Sequence, residues 1–300
     1  MQLEYFLAKW TIVAYNCKRL SLKILHDNQK KRKGKMQDSG KTCILGKRIM
    51  INDIHIGPVT LHMYGLMIAI GYMSALLISE RRAKKRGMDT DILYGIFWCA
   101  VLGGAAGSKT LYFLVSIRDI MADPSILLNF QNGWVVYGGI IGGVLASWGY
   151  CRYKKADFVG YLDLVLPSVA FAQGCGRIGC FFAGCCYGRE TSSALSIQYW
   201  QSVYAPNGVK LVPTQIYSSI GDFAMAFLLM AYAKREPAKG RVAAGYCILY
   251  SIGRFVIEAF RNDYRGEVWI FSVSQLISIF ILALGVGIFA YAGKKGKGSV

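Results

Sequence analysis

The sequence predicts an all-α, polytopic membrane protein, and three observations carry that prediction. Of the 300 residues, 54% are hydrophobic and only 17% are charged, whereas a soluble domain carries about 25% charged residues. The mean hydropathy is positive. Apolar stretches of nearly spanning length recur along the chain and are separated by short basic loops, a pattern typical of membrane-spanning helices. These observations exclude an ordinary soluble protein and a small disulfide scaffold.

Seven stretches are long and apolar enough for a transmembrane helix, which needs about 20 residues. They cover residues 59–79, 92–115, 133–150, 158–176, 214–233, 243–261 and 269–292. Lys and Arg concentrate in the loops after the first, third and fifth stretches and in the C-terminal tail, while the alternate loops hold far fewer. Because positive loops stay in the cytoplasm, we expect the N-terminus outside and the C-terminus inside.

The first 49 residues differ from the rest of the chain. They carry 12 Lys and Arg against 3 acidic residues, so half of the net charge of +18 lies in one-sixth of the chain. We interpret residues 1–49 as a basic, disordered extension or the product of a start assigned too early, with Met36 and Met50 as alternative starts. A role at the membrane surface is the alternative. A membrane domain over 50–292 and a basic cytoplasmic tail over 293–300 follow, and nothing predicts a nucleic-acid partner.

Charged residues inside the predicted spans are costly and suggest function. They are Lys109, Asp163, Arg177, Asp222, Arg254 and Glu258. The i, i+4, i+7 spacing of Arg254, Glu258 and Arg261 predicts one helix face. The expected topology brings residues of five helices into the outer half of the membrane, namely Tyr64, Tyr137, Arg177, Tyr217 and Arg261.

Two or three guanidinium groups in such a place favour an anionic lipid headgroup, because arginine binds phosphate oxygens in a bidentate fork. The alternative is structural. Arg254 would then pair with Glu258, and Arg177 would cap carbonyls at a helix end.

Two glycine-rich segments mark the chain. In residues 131–143 the small-x-x-x-small spacing predicts close helix packing; its glycines are Gly138, Gly139, Gly142 and Gly143. In residues 174–189 the sequence GCGRIGCFFAGCCYGR predicts an irregular segment at the outer end of the fourth span. Irregular backbone at membrane depth must line protein or water.

The second segment resembles the signature of the prolipoprotein diacylglyceryl transferase family. That signature has the form G-R-x-G-N-F-x-N-G-E-x-x-G, and residues 176–188 are GRIGCFFAGCCYG. Asp163 precedes Arg177 by fourteen residues, as in the family. Further similar segments follow the family's order and extend the resemblance over residues 50–292; they are IGPVTLHMYGLM (56–67), YGGIIGG (137–143), VPTQIY (212–217) and GRFVIEAFRND (253–263).

The resemblance implies transfer of a diacylglyceryl group from phosphatidylglycerol to the lipobox cysteine thiol of a prolipoprotein, with release of glycerol phosphate. It implies a multi-pass protein of the bacterial plasma membrane with no cofactor or metal. Arg177 and Arg254 would hold the headgroup and stabilise the departing phosphate, and Glu258 would position an arginine. The remaining substrate-binding residues implied are Tyr64, Gly138, Gly139, Gly188, Tyr217 and Arg261.

This chain departs from the family at several polar positions. The family's histidine before G-G-L-I-G, a proposed base, is Tyr137 here. The resemblance therefore places Tyr137 at a catalytic position, although a tyrosine, with a usual pKa near 10, is a poor base at neutral pH. Of the three histidines in the chain, only His62 could replace the family's histidine as the base. Four further positions hold Asn, Asn, Glu and Glu in the family. In this chain they hold, in the same order, Cys180, Ala183, Cys185 and Ser218. A divergent transferase, a paralogue with another acceptor or lipid, and a protein that only binds or transports an anionic lipid all stay open.

Four of the nine cysteines fall in one window, at Cys175, Cys180, Cys185 and Cys186. Their spacing is not CxxC and no histidine is near, so the sequence predicts no zinc site. Small buried space-filling side chains are the favoured interpretation. A disulfide or a reactive thiol, and with it a membrane thiol oxidoreductase, is the alternative.

Overall fold

The structure is a computed structural model that describes residues 53–56, 59–123, 133–200, 202–262, 267–268 and 271–297. The predictions for residues 1–49 lie outside the described residues.

The described residues form a mostly helical protein. Its helices are α1 (Met63–Lys85), α2 (Thr90–Val115), α3 (Ile117–Ala122), α4 (Val136–Tyr153), α5 (Phe158–Ala183), α6 (Thr214–Ala233), α7 (Arg241–Glu258) and α8 (Val273–Lys297). Five segments are long and apolar enough to cross a membrane: α1, α2, α5, α6 and the Val273–Ala292 part of α8. The predicted membrane protein built from apolar helices is thereby confirmed, and α4 and α7 occupy the other two predicted stretches.

Three short antiparallel hairpins interrupt the helical pattern. They pair β1 (Asp53–Ile56) with β2 (Val59–His62), β3 (Ile197–Gln198) with β4 (Lys210–Leu211), and β5 (Glu267–Val268) with β6 (Phe271–Ser272). The first predicted span therefore began too early, because residues 59–62 pair as a strand before α1 begins. The strictly all-α prediction is wrong to this small extent.

The chain divides into two compact units, and the first contains α2, α3 and α4. Glycines set how closely α2 and α4 pack. A Cβ atom on Gly107 would lie 2.8 Å from the Gly142 Cα, and one on Gly142 would collide with the Gly103 carbonyl. Only glycine permits this approach, so the close packing predicted for the glycines of 131–143 is confirmed.

The second unit contains α1, α5, α6, α7 and α8. Apolar residues form its described core between α5, α6 and α7; they include Ala170, Met225, Ala226, Leu229 and Val242. Near this core, the start of α7 is capped by the buried carboxylate of Asp163, which accepts hydrogen bonds from the backbone N–H of Gly240 at 2.6 Å and Ala243 at 2.8 Å. The charge that suggested function at Asp163 thus satisfies a helix N-terminus.

Arginines at the same end of this unit also bind backbone. Arg86 donates a 2.6 Å hydrogen bond to the Ala233 carbonyl at the end of α6, and Arg82 donates to the Leu164 carbonyl in α5. Arg86 thus adds a second donor to a carbonyl at the end of α6, beside the Glu236 N–H, and Arg82 adds a donor to a carbonyl inside α5.

Candidate active site

The signature segment begins inside α5, which continues to Ala183. The irregular backbone predicted from residue 174 therefore starts only at Gly184. Gly184 has φ +68°, and its N–H donates to Phe181 while the Cys185 N–H donates to Cys180, both at 3.2 Å. This is a Schellman C-cap, which requires a left-handed residue that glycine adopts without strain.

Two glycines of the signature allow close approach. Gly179 faces α1, where a Cβ would lie 3.2 Å from the ring of Tyr64. Gly188 is buried, and a Cβ there would lie 2.7 Å from the Val212 carbonyl oxygen. Gly188 also forms an antiparallel bridge with Arg261. Tyr64, Gly188 and Arg261, all predicted site residues, are thus brought to the end of α5.

Three cysteines converge after the end of α5. The sulfur atoms of Cys180, Cys185 and Cys186 all lie within 4.8 Å of one another, and their side chains are partly buried. Cys186 has φ +60°, a left-handed conformation that is uncommon for a residue with a Cβ. Spacing along the chain does not reveal this cluster, because the C-cap folds Cys185 back onto the last turn of α5.

Two residues of the VPTQIY segment hold the cysteine backbone. Thr214 Oγ1 donates to the Cys186 carbonyl at 2.9 Å, and Gln215 Nε2 donates to the Cys185 carbonyl at 2.7 Å. Gln215 Nε2 also lies 3.1 Å from the Tyr199 hydroxyl, and all three side chains are buried. Sequence analysis missed these roles, although adjacent Thr and Gln at the start of an apolar helix were a usable signal, since buried polar groups need partners.

The thiols and Arg261 form one electrostatic group. Hydrogen bonds with Cys180 and Cys185, together with the Arg261 guanidinium, hold the pKa of the Cys186 thiol well below its usual range. Hydrogen bonds with Cys180 and Cys186, together with burial, raise the pKa of the Cys185 thiol. The neighbouring thiols and the Arg261 guanidinium therefore favour the thiolate form of Cys186 over that of Cys185.

Arg177 lies on the last turns of α5, within electrostatic range of the Cys180 thiol and the Tyr64 hydroxyl. Its Nε is 3.9 Å from the Asp222 carboxylate of α6, at the limit of an ion pair. The described contacts of the Arg177 side chain do not include helix carbonyls, so they do not support the structural alternative in which Arg177 caps a helix end. Its cationic charge is only loosely compensated by that carboxylate.

Arg254 is held firmly on α7. Its Nη1 lies 2.8 Å from the Glu258 carboxylate, and its Nη2 donates to Ser274 Oγ at 2.9 Å. Glu258 also accepts a 3.1 Å hydrogen bond from Ser272. The pairing of Arg254 with Glu258, which the sequence left as the structural alternative, is confirmed.

Arg261 does not continue that helix face. Because α7 ends at Glu258 and residues 259–260 form a turn, the predicted i+7 position is wrong. Arg261 instead joins the signature segment, where the Arg189 N–H also donates to the Phe260 carbonyl at 3.0 Å. The extended backbone after the turn brings its guanidinium to Cys186.

The other predicted site residues lie elsewhere. Tyr217 is on the first turns of α6 and half exposed. Tyr137, Gly138 and Gly139 belong to the first unit, at the start of α4. In that unit Lys109 lies 4.8 Å from the centre of the Trp134 ring, so its charge is stabilised by a cation–π contact.

The chain is similar to known proteins along most of its length. A protein-family model described as prolipoprotein diacylglyceryl transferase matches residues 52–291. The chain is 45% identical over 226 residues to the phosphatidylglycerol–prolipoprotein diacylglyceryl transferase of Clostridium tetani, which covers 75% of this chain and 91% of that protein. Two proteins of Clostridium perfringens with the same name are numbered 2 and 1. They are 43% and 32% identical, covering 83% and 81% of this chain and 97% and 95% of their own lengths.

Proposed function

This chain belongs to the prolipoprotein diacylglyceryl transferase family, and from that premise we propose that it transfers a diacylglyceryl group from phosphatidylglycerol to the lipobox cysteine of prolipoproteins. A thioether forms and glycerol phosphate leaves. The observation that carries the proposal is the similarity to transferases of that name along nearly their whole lengths. The matched region contains both the signature segment and the arginines around it.

The proposed location is the bacterial plasma membrane, crossed seven times with the N-terminus outside. The alternating basic loops support this orientation. In the second unit the end of α1 contacts the end of α6 through Arg86, and the start of α5 contacts the start of α7 through Asp163, which supports the alternating direction of these helices. These four helix ends are the ones that the proposed topology assigns to the cytoplasm. The signature segment then faces the outer side.

We assign the phosphate of the lipid to the arginines. Arg177 is the more available cation, because its carboxylate partner is 3.9 Å away and a phosphate oxygen can compete for it. Arg254 keeps its place through Glu258 and Ser274, so its role combines charge with rigidity. Guanidinium groups fixed near the departing phosphate would stabilise the charge that develops in the transition state. Tyr64 and Arg261 flank the same region.

The remaining substrate-binding assignments stand on the resemblance. Gly188 allows the signature segment to pack against Val212. Tyr217, at the start of α6, is placed by the proposed topology at the outer surface. Tyr137, Gly138 and Gly139 start α4, whose beginning the same topology puts outside. By the resemblance, Tyr137 takes a catalytic position, and Gly138 and Gly139 bind substrate.

The test uses protein purified in detergent, phosphatidylglycerol and a synthetic lipobox peptide, followed by mass spectrometry. We expect a peptide that gains the diacylglyceryl mass, with release of glycerol phosphate, and no gain when serine replaces the peptide's cysteine. For the Arg177→Ala variant, Arg152→Ala serves as a matched control, since Arg152 is exposed at the end of α4. Lipid binding without an adduct would overturn the transferase assignment in favour of a binding or transport protein.

A further inference from the structure

The three sulfur atoms of the thiol cluster lie close enough together to share one metal ion. They lie within 4.8 Å of one another. Zinc–sulfur bonds of about 2.3 Å in a tetrahedron separate the sulfurs by about 3.8 Å, so only small side-chain adjustments would close the three thiols on an ion. A disulfide would join two of the three thiols and would not use the third.

The surrounding residues support the cluster as a built site. The Schellman cap sets Cys185 on the last turn of α5, and the left-handed backbone of Cys186 places its sulfur beside the other two. Thr214 and Gln215 fix the carbonyls of Cys186 and Cys185. These two hydrogen bonds hold the backbone of Cys185 and Cys186 in place and so keep the two thiols beside Cys180.

The charge balance favours a divalent ion. Three thiolates around a 2+ ion leave one negative charge, and Arg261, whose backbone pairs with Gly188 two residues after Cys186, supplies one positive charge nearby. Soft thiolate ligands select zinc over magnesium or calcium. Among the described residues, no fourth Cys, His, Asp or Glu joins the three. Zinc sites with three protein ligands keep a fourth position for water or substrate.

We propose that Cys180, Cys185 and Cys186 bind a zinc ion whose open position takes the thiol of the acceptor cysteine. The inference rests on the proposed function and adds the means by which that thiol becomes a nucleophile. A zinc-bound thiol is deprotonated outright at neutral pH, so the chain does not need the histidine that Tyr137 replaces. The cluster lies beside Arg177, which is the group assigned to the phosphate.

The step is balanced without an oxidant or a reductant. The acceptor thiol releases its proton to water on binding the ion. The zinc-bound sulfur then attacks the glyceryl carbon that carries the phosphate, so a carbon–sulfur bond forms and the carbon–oxygen bond breaks. The electron pair of that bond leaves with the phosphate oxygen, glycerol phosphate takes up a proton, and the neutral thioether dissociates from zinc.

Metal content gives the first test. Protein purified in detergent without chelator is analysed by plasma mass spectrometry. We expect about one zinc per chain in the wild type and less than about one-tenth of that in Cys186→Ser. A site with three protein ligands loses most of its affinity for zinc when one of those ligands is removed. Cys99→Ser is the matched control, a partly exposed thiol on α2. Unchanged metal in Cys186→Ser would overturn the proposal, as would a metal-free protein with a disulfide between two of the three cysteines.

Cobalt gives a second test that needs no variant. Zinc is removed from the wild-type protein and replaced by Co²⁺, whose thiolate charge-transfer and visible absorption report the ligands. We expect the lipobox peptide to alter the visible bands and the Ser-substituted peptide to leave them unchanged. Undiminished transfer by the metal-free protein would overturn the zinc site and leave the transferase standing. A peptide-dependent spectrum without any transfer would uphold the site and overturn the proposed function.

Discussion

The two ends of the second unit both carry arginine and aspartate, but they use them differently. At one end Arg86 and Asp163 bind backbone groups at 2.6–2.8 Å. At the other, Arg177 lies 3.9 Å from its carboxylate and Arg261 faces a sulfur atom. A charge saturated by backbone contributes to stability, whereas a charge with a loose partner is available to a ligand. Composition alone does not distinguish these two uses of the same residue types.

Replacing Arg177 should have the largest effect. Arg177→Ala is expected to lower turnover of the lipobox peptide by about 10²–10³-fold, the usual loss when one group that stabilises transition-state charge is removed. Arg86→Ala should lower the thermal midpoint in detergent and leave turnover per folded molecule intact. Equal turnover of wild type and Arg177→Ala would contradict the contrast between the two ends.

The next largest effect is expected from replacing Gln215, whose side chain binds the backbone of Cys185. Gln215→Ala deletes the hydrogen bond to the Cys185 carbonyl, and we expect zinc affinity to fall about 10–100-fold, as for other residues that orient metal ligands. Competition with a coloured chelator measures this affinity. Ser251→Ala is the control, because it removes a buried hydroxyl that bonds to its own helix. An equal loss in both variants would indicate a general packing effect.

Adding one methyl group at Gly188 tests the packing of the signature segment. Its Cβ would lie 2.7 Å from the Val212 carbonyl, so Gly188→Ala should lower the free energy of unfolding by about 1–3 kcal/mol. Gly221→Ala, on α6 with nothing within 4 Å, should be neutral or stabilise by up to about 1 kcal/mol. Thermal unfolding in detergent measures both variants, and the opposite order would refute the packing argument.

The smallest effect is expected at the end that binds backbone. Asp163→Ala removes the cap of α7 and should lower stability by about 1–2 kcal/mol, with turnover per folded molecule kept. Asn at this position keeps one acceptor and should recover part of the loss. A selective loss of turnover in a stable Asp163→Ala protein would move Asp163 from the structural end to the site.

Much of the helical pattern was predictable from the sequence. The predicted span 214–233 has the bounds of α6, and 92–115 differs from α2 by two residues. Predictions were weakest at helix ends, where hydropathy does not separate a strand from a helix. Residues 59–62 pair in a hairpin, and α7 ends three residues before Arg261.

The site was predictable in part. Arg177, Arg254, Glu258 and Gly188 could be singled out as candidates because charge in an apolar span and glycine in a signature are visible one position at a time. Gln215 and Tyr199 were missed because their importance depends on a partner 30 or 16 residues away. The cysteines were seen, but their convergence was not.

By itself the sequence determined that this chain is helical and membrane-bound, because apolar residues avoid water and a backbone among lipids must satisfy its own hydrogen bonds. It also determined the family, since the signature residues stand in order. Only the tertiary structure decided which charges are satisfied and which three thiols meet. Those outcomes depend on distances between segments far apart in the chain, and such distances are set when α5, α6 and α7 pack together.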